Sequence, residues 1–200
     1  IEAERIIRKI LNSSNIPILG EELGLDSAKL DDTMWVVDPL DGTANYNRNI
    51  PISCVSIALL KELNPILGVI YDFNNDLIYS GGTQKIATEN SSPIYVSTFE
   101  NKKESTMLTG LPVNTDYSSK AIKSLIDNFK SWKKVRMIGS AAIASIYVAS
   151  GRADYYSESG TNIWDIAAGV AITRAAGGKA EIKNLSNNFS LDITITNGLL

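Results

Sequence analysis

Apolar and polar residues alternate along the first half of the chain at spacings that predict one helix followed by strands. The predicted elements are a helix over 1–11, strands near 16–19 and 34–38, and three apolar stretches at 52–60, 65–72 and 76–80. Turn residues at Asn64-Pro65 and Asn74-Asn75-Asp76 separate the last three stretches. This pattern predicts an antiparallel meander.

The second half alternates between strand-like and helix-like segments. The predicted order is strand 105–110, helix 117–130, strand 134–138, helix 141–150, strand 153–157, helix 163–176, and short strands near 180 and 193. Ser140 and Gly151 are typical of the start and end of the second helix, while Asn162 or Thr161 and Gly177 bound the third. Mixed alternation of this kind predicts helices layered on two sheets, an α+β fold. We expect two halves, 1–98 and 99–200.

Composition narrows the possible functions mainly through what is missing. The chain has 200 residues, 44% hydrophobic and 20% charged, with a net charge of −3, so we expect no nucleic-acid or membrane partner. Because there is no histidine, the sequence excludes a Ser-His-Asp triad and a histidine-based zinc site. The single cysteine, Cys54, lies in an apolar run and is interpreted as a buried small residue.

The run Trp35-Val36-Val37-Asp38-Pro39-Leu40-Asp41-Gly42-Thr43-Ala44-Asn45 carries the most chemical information. A buried strand delivers two carboxylates, Asp38 and Asp41, and paired carboxylates suit a hard cation such as Mg2+. Gly42 permits close approach to the backbone, and free N–H groups after a tight turn suit a phosphate. The alternative is an ordinary turn rich in aspartate and glycine.

Two further acidic segments favour the metal interpretation. Gly20-Glu21-Glu22 follows a short apolar run, and Asp165 falls in the first turn of the predicted helix over 163–176. Each has a simpler explanation, since Glu21 and Glu22 could be solvated loop acids and Asp165 could stabilise the helix start.

Together these segments resemble the inositol monophosphatase superfamily of Mg2+-dependent, lithium-sensitive phosphatases. Its motifs G-E-E, D-P-[IL]-D-G-T-x-N-[FY] and W-D-x-A-[AG]-G stand here, in that order, as Gly20–Glu22, Asp38–Tyr46 and Trp164–Gly169. The likeness extends over nearly the whole chain, including Gly139-Ser140-Ala141-Ala142 and Glu158. Family members usually carry a further N-terminal helix and an acidic residue before this point, so we expect either that the sequence is incomplete or that the protein departs from the family pattern here.

The resemblance implies a layered α-β-α-β-α sandwich of the inositol monophosphatase and fructose-1,6-bisphosphatase type. It also implies two or three Mg2+ ions as cofactors. One ion would be held by Glu21, Asp38 and the Leu40 carbonyl, and a second by Asp38, Asp41 and Asp165. The implied catalytic residues are Glu21, Thr43 and Asp41, with Glu21 and Thr43 orienting the attacking water. Glu22 would support the metal ligands, and the N–H groups of Gly42 and Thr43 would hold the phosphate.

The substrate is less constrained by the sequence. Ala142 and Glu158 match the positions that contact the polyol in the family, although Glu158 could instead be a solvent-facing loop acid. The run Asp41-Gly42-Thr43-Ala44-Asn45-Tyr46 favours the inositol monophosphatase branch over the bisphosphate nucleotidases, which typically read D-G-T-K-E-F. Fructose-1,6-bisphosphatase activity and a non-catalytic phosphometabolite-binding role remain alternatives. We expect a cytoplasmic homodimer acting on a small phosphate ester.

Overall fold

The computed structural model describes residues 1–26, 33–111 and 116–200. The helices are α1 (Glu2–Leu11), α2 (Thr43–Tyr46), α3 (Ser119–Phe129), α4 (Ala141–Ala149) and α5 (Ile163–Ala175), with a short 3-10 helix at Asn12–Ser14. The strands are β1 (Ile18–Gly20), β2 (Gly24–Leu25), β3 (Met34–Asp41), β4 (Cys54–Lys61), β5 (Asn64–Asp72), β6 (Leu77–Gly82), β7 (Lys85–Glu89), β8 (Ser92–Pro93), β9 (Thr106–Thr109), β10 (Lys134–Met137), β11 (Tyr155–Asn162), β12 (Lys179–Lys183) and β13 (Ser190–Thr196).

These strands form two sheets, each built from one part of the chain. The first sheet has the order β2-β1-β3-β4-β5-β6-β7-β8, and the second has the order β10-β9-β11-β13-β12. Strands β3 to β6 pair antiparallel in sequence order, which confirms the predicted meander. The division into halves at residue 98 stays a prediction.

Helices α4 and α5 lie between the two sheets because nearly all of their residues are apolar or small. All of α4 is buried except Tyr147, and α5 is buried from Ile166 to Thr173. A helix that is apolar on all sides can only be stable inside a protein. Helix α5 contacts strands of both sheets, and α1 contacts β3 on the other side of the first sheet. Helix α3 lies against the second sheet, where Leu125 and Met107 line the same groove. The predicted α-β-α-β-α layering is therefore confirmed.

Glycines set how closely α5 approaches its neighbours. A Cβ atom on Gly68 of β5 would lie 2.7 Å from Ala168 Cα, and one on Gly169 would overlap Ser145 of α4. Real Cβ atoms essentially never lie within 3.0 Å of such neighbours, which are backbone at Gly68 and the Ser145 Cβ at Gly169, so both positions require glycine in this packing. The small residues thereby fix the position of the helix that carries Asp165.

Several predicted boundaries differ from the structure. The turn predicted at Asn64-Pro65 is wrong, because Asn64 pairs with Lys61 and the loop consists of Glu62 and Leu63 at φ 51° and 61°. Both residues are in the left-handed conformation that a two-residue hairpin loop requires. The turn predicted around Asn74-Asn75-Asp76 lies between β5 and β6 as expected.

Other elements were missed or cut short. Strand β3 continues to Asp41 and β11 to Asn162, beyond their predicted ends, and α2, β2, β7 and β8 had not been predicted. No helix among the described residues is long and apolar enough to cross a membrane.

Candidate metal centre

A β-bulge in β3 brings Asp38 and Asp41 to the same face of the first sheet. These residues are three positions apart, so a regular strand would point them to opposite faces. Asp38 pairs with Ser56 and Asp41 with Cys54, so β3 contains one residue more than β4 between these pairs. Such a bulge redirects a side chain. As a result, both carboxylates point toward α5.

Asp38 is a buried carboxyl group surrounded by other acids. It is 1% exposed, and its Oδ1 accepts a hydrogen bond of 2.8 Å from the Leu40 N–H. Burial and the negative charges of Asp41, Glu21 and Asp165 raise the pKa of Asp38 to about 10, although the bond from Leu40 acts in the opposite direction. Without a cation, the folded protein therefore favours the protonated form of this group.

Asp41 is held by the start of α4. Its Oδ2 accepts a hydrogen bond from the Ser140 hydroxyl and another of 2.8 Å from the Ala142 N–H. Ser140 also caps the helix, since its Oγ accepts the N–H of Ile143 at 3.1 Å. Burial, followed by the charge of Asp165, raises the pKa of Asp41 to about 7, and the bonds from Ser140 and Ala142 limit that rise.

Asp165 reaches the same point from the first turn of α5. Its Oδ2 accepts hydrogen bonds of 2.9 Å from the Thr161 hydroxyl and from the Asn162 N–H, which confirms Asn162 as the helix N-cap. Burial raises the pKa of Asp165 despite these two bonds. Ligand oxygens of Asp38, Asp41 and Asp165 all lie within 4.8 Å of one another.

Glu21 approaches this cluster from the loop after β1, whereas Glu22 is held at its edge. Much of Glu21 is exposed. Partial burial raises the pKa of its carboxyl group, and the negative charges of Asp165, Glu22 and Glu4 act in the same direction. The Glu22 side chain is exposed, and its N–H donates to Glu4 at 2.9 Å.

The remaining predicted residues of the motif lie beside this cluster. The Thr43 hydroxyl donates to the Leu40 carbonyl at 2.9 Å. The hydroxyl expected to orient the water is therefore adjacent to the carbonyl expected to bind the metal. Gly42 has φ 82° at the start of α2, and a Cβ atom there would lie 2.6 Å from the Ile52 carbonyl oxygen. Only glycine combines this conformation with such close contact.

Glu158 lines the same cleft as the metal cluster. Asp41, Asp165 and Glu158 border a cavity of about 460 Å³ together with the 139–141 segment. The Tyr156 hydroxyl donates to Glu158 Oε2 at 2.9 Å, and burial raises the pKa of Glu158. The interpretation of Glu158 as a freely solvated loop acid is therefore not favoured.

Ala142 occupies a different environment from that expected of a substrate contact. It is 0% exposed, and its N–H is directed at Asp41. Its contact with the polyol stays a prediction, while the observed contact positions a carboxylate.

Several supporting residues had not been recognised as part of the site. Ser140 and Thr161 had been given no role beyond helix capping and, for Ser140, the family likeness, yet both donate to acids of the cluster. The Asn45 side chain joins distant segments by donating to the carbonyls of Ile52 and Ile138 at 2.9 and 2.7 Å. The motif indicated that Asn45 matters, but its partners are 7 and 93 positions away and leave no local pattern.

The donor set fits a hard divalent cation. Its ligand atoms are carboxylate oxygens, which Mg2+ prefers, and the charges that most affect Asp38 are all negative. A cation placed among them would remove this repulsion and favour the ionised carboxylates.

Known proteins are similar to this chain in sequence and in structure. A sequence profile described as the inositol monophosphatase family matches residues 1–189. The chain is 39% identical over 186 residues to an inositol-1-monophosphatase of Synechocystis sp., covering 88% of this chain and 63% of that protein. It is 38% identical over 185 residues to a protein of Xylella fastidiosa named Nus factor SuhB, covering 88% and 64% of the two chains.

A solved structure gives the same result for the fold. The inositol monophosphatase of Anabaena (Nostoc) sp. superposes with a TM-score of 0.89 at 34% identity, covering 98% of this chain and 80% of that one. The present chain thus spans slightly less than two thirds of the two curated relatives described above, and four fifths of this structure.

Proposed function

The chain belongs to the inositol monophosphatase family, and on this premise we propose that it is a Mg2+-dependent phosphomonoesterase acting on a small polyol or sugar phosphate. The observation that carries the proposal is the cluster of Asp38, Asp41 and Asp165, with ligand oxygens within 4.8 Å of one another. A phosphate monoester is itself anionic, so these three acids could receive it only with cations between them.

The geometry supports the assignment of these acids to two ions. One would be held by Glu21, Asp38 and the Leu40 carbonyl, and the other by Asp38, Asp41 and Asp165, with a third ion compatible with the family. Bound Mg2+ would neutralise phosphate oxygens and lower the pKa of a bound water. Asp38 would contribute to both ions, in agreement with its central position among the other acids.

The remaining residues of the motif would position the reactants. Thr43 and Glu21 would orient the water, and the hydrogen bond from Thr43 to the Leu40 carbonyl keeps that hydroxyl beside a metal ligand. The N–H groups of Gly42 and Thr43, at the start of α2, would hold the phosphate oxygens. Glu22 would support the loop that carries Glu21.

Glu158 would select the alcohol part of the substrate. A carboxylate accepts hydrogen bonds from the hydroxyl groups of a polyol or sugar. Its position in the cleft beside Asp165, and the hydrogen bond that it receives from Tyr156, support this role.

A phosphate-release assay tests the proposal. Inositol 1-phosphate, adenosine 3′,5′-bisphosphate and fructose 1,6-bisphosphate would be compared with Mg2+, with excess chelator, and with lithium in the millimolar range. We expect Mg2+-dependent release that is fastest with inositol 1-phosphate and is inhibited by lithium. Faster release from either of the other substrates would identify a bisphosphate nucleotidase or a fructose-1,6-bisphosphatase instead. Full activity in excess chelator would contradict the metal mechanism.

The non-catalytic alternative predicts a different result. Calorimetry would then detect tight binding of the phosphate ester, while no phosphate would be released under any condition. The homodimer expected from the resemblance stays a prediction, which sedimentation velocity can test.

A further inference from the structure

A buried ion pair outside the metal cluster holds the loop that carries Glu21. Glu4 on α1 is 0% exposed, and Arg8, one turn later, is largely buried, with a side chain 12% exposed. The Arg8 Nε donates to Glu4 Oε1 at 2.8 Å, and the other Glu4 oxygen accepts the Glu22 N–H at 2.9 Å. A charged group is stable when buried only if hydrogen bonds and an opposite charge compensate for the loss of water. The buried Glu4 carboxylate therefore holds the Glu22 N–H, in the peptide that follows Glu21, close to Arg8.

The guanidinium of Arg8 extends this contact along the same loop. Its Nη2 donates to the Gly24 carbonyl at 2.6 Å, and its Nη1 donates to Asp26 Oδ1 at 2.8 Å. The second Asp26 oxygen accepts the Ile18 N–H at 3.1 Å. Asp26 therefore links Arg8 to the backbone of β1, just before the loop that carries Glu21. A planar fork of donors can bind several partners at fixed angles, and a lysine ammonium group cannot.

The backbone on both sides of Glu21 is therefore restrained. The Glu21 N–H donates to the Val37 carbonyl at 3.1 Å, one residue before Asp38, and the next N–H donates to Glu4. A Cβ atom on Gly20 would overlap the Glu4 carboxylate, so the glycine allows this close contact. These restraints fix the backbone from which the Glu21 side chain extends beside Asp38.

We infer that Glu4 and Arg8 are positioning residues that hold Glu21 in its metal-binding orientation before the metal arrives. The inference rests on the proposed function, because it assumes that Glu21 binds Mg2+. A preformed ligand loses less conformational freedom on binding, and partners of metal ligands typically change metal affinity when they are removed.

The test compares two identical substitutions on the same helix. Arg8→Lys keeps the charge but removes the fork, while the matched control Arg5→Lys changes a side chain that is 65% exposed and lies 3.8 Å from Glu2. Calorimetry measures Mg2+ binding to each folded protein, and hydrogen–deuterium exchange measures protection of the 18–26 segment without metal. We expect Arg8→Lys to weaken Mg2+ binding by about tenfold and to speed exchange in that segment. Arg5→Lys should change neither.

A second variant with a milder change keeps the inference testable if Arg8→Lys does not fold. Asp26→Asn removes the charge that Arg8 contacts, at a side chain 47% exposed, and leaves one acceptor oxygen in place of the two that Arg8 and the Ile18 N–H use. It should weaken Mg2+ binding less than Arg8→Lys does. If Arg8→Lys fails to fold, unchanged Mg2+ affinity in Asp26→Asn overturns the inference. Parent-like Mg2+ affinity in a folded Arg8→Lys protein overturns it as well, whatever its melting temperature. Failure of the parent itself to bind Mg2+ would instead refute the proposed function.

Discussion

Replacing Asp41 with asparagine should stabilise the metal-free protein and at the same time abolish its response to Mg2+. Asp41 is 8% exposed, and burial together with the charge of Asp165 raises its pKa to about 7. Asparagine has nearly the same shape, so its carbonyl oxygen can still accept the bonds from Ser140 and Ala142. The substitution therefore removes a repelled charge while keeping the hydrogen bonds.

The expected gain follows from the difference in pKa between the folded and unfolded states. An aspartate in an unfolded chain has a pKa of about 3.9, and each unit of difference corresponds to about 1.4 kcal/mol. At pH 8, ionisation of Asp41 thus lowers the free energy of unfolding by about 4 kcal/mol at most, and we expect asparagine to recover about 1–4 kcal/mol. A domain of this size gains about 2–4 °C in melting temperature for each kcal/mol.

The assay is thermal unfolding at pH 8, first with chelator and then with Mg2+, followed by phosphate release. The variant should melt higher than the parent in chelator, gain little from Mg2+, and lose about two or more orders of magnitude in turnover number, equivalent to roughly 3 kcal/mol. A metal-free variant that melts below the parent would refute the electrostatic reasoning. Near-normal turnover would show that Asp41 is not a metal ligand.

Asp72→Asn is the matched control, because Asp72 is also buried but ends β5, and the turn that follows supplies donors for its carboxylate. It is 3% exposed, and it accepts the N–H groups of Asn74 and Asn75 at 3.1 and 3.2 Å and the Asn75 side-chain amide at 2.8 Å. This substitution should destabilise the protein by about 1–3 kcal/mol, since an amide cannot accept all of these bonds. Its response to Mg2+ should match that of the parent.

Three other outcomes follow from the same structure. Glu158→Gln should change the ratio of kcat/KM values among the three test substrates and leave the Mg2+ dependence unchanged, so an unchanged ratio would remove Glu158 from the substrate site. Gly68→Ala should lower the free energy of unfolding measured in urea by about 3 kcal/mol or more, because the added methyl group meets the Ala168 backbone. A loss below about 1 kcal/mol would contradict the packing argument. The metal-free parent should lose stability as the pH rises from 4 to 8. Folding raises the pKa of Asp38 to about 10 and that of Asp41 to about 7, so the folded state favours the protonated groups and is disfavoured as they ionise. Saturating Mg2+ should reverse that dependence, and a metal-free melting temperature that rises over this range would contradict it.

Local patterns predicted the types of most elements because those patterns reflect short-range physics. Ser140 caps α4 and Gly151 follows it with φ 70°, as the sequence indicated. The alternation of Cys54, Ser56, Ala58 and Leu60 with half-buried residues in β4 matches a strand that is fully covered on one face.

The errors occur where a residue adopts a conformation that its type does not favour or where pairing depends on distant strands. Glu62 and Leu63 have positive φ although neither is glycine or asparagine, so the hairpin loop had no local signal. Strand β7 exists because β6 supplies its hydrogen-bonding partner, and its own sequence lacks a clear alternation.

The sequence by itself was enough to identify the family motifs and to predict the chemical type of the metal ligands. The motifs supply carboxylates and the chain has no histidine, and such a ligand set suits a hard cation whatever its arrangement in space. The family resemblance implied that Asp165 shares an ion with Asp38 and Asp41, but only the tertiary structure shows how the three residues meet, through a bulge in β3 and glycines that set the position of α5. The tertiary structure likewise decided the contact of Glu4 and Arg8 with the loop of Glu21. Residues far apart in sequence come together only when the core buries the elements that carry them, and a pattern within one segment does not record that packing.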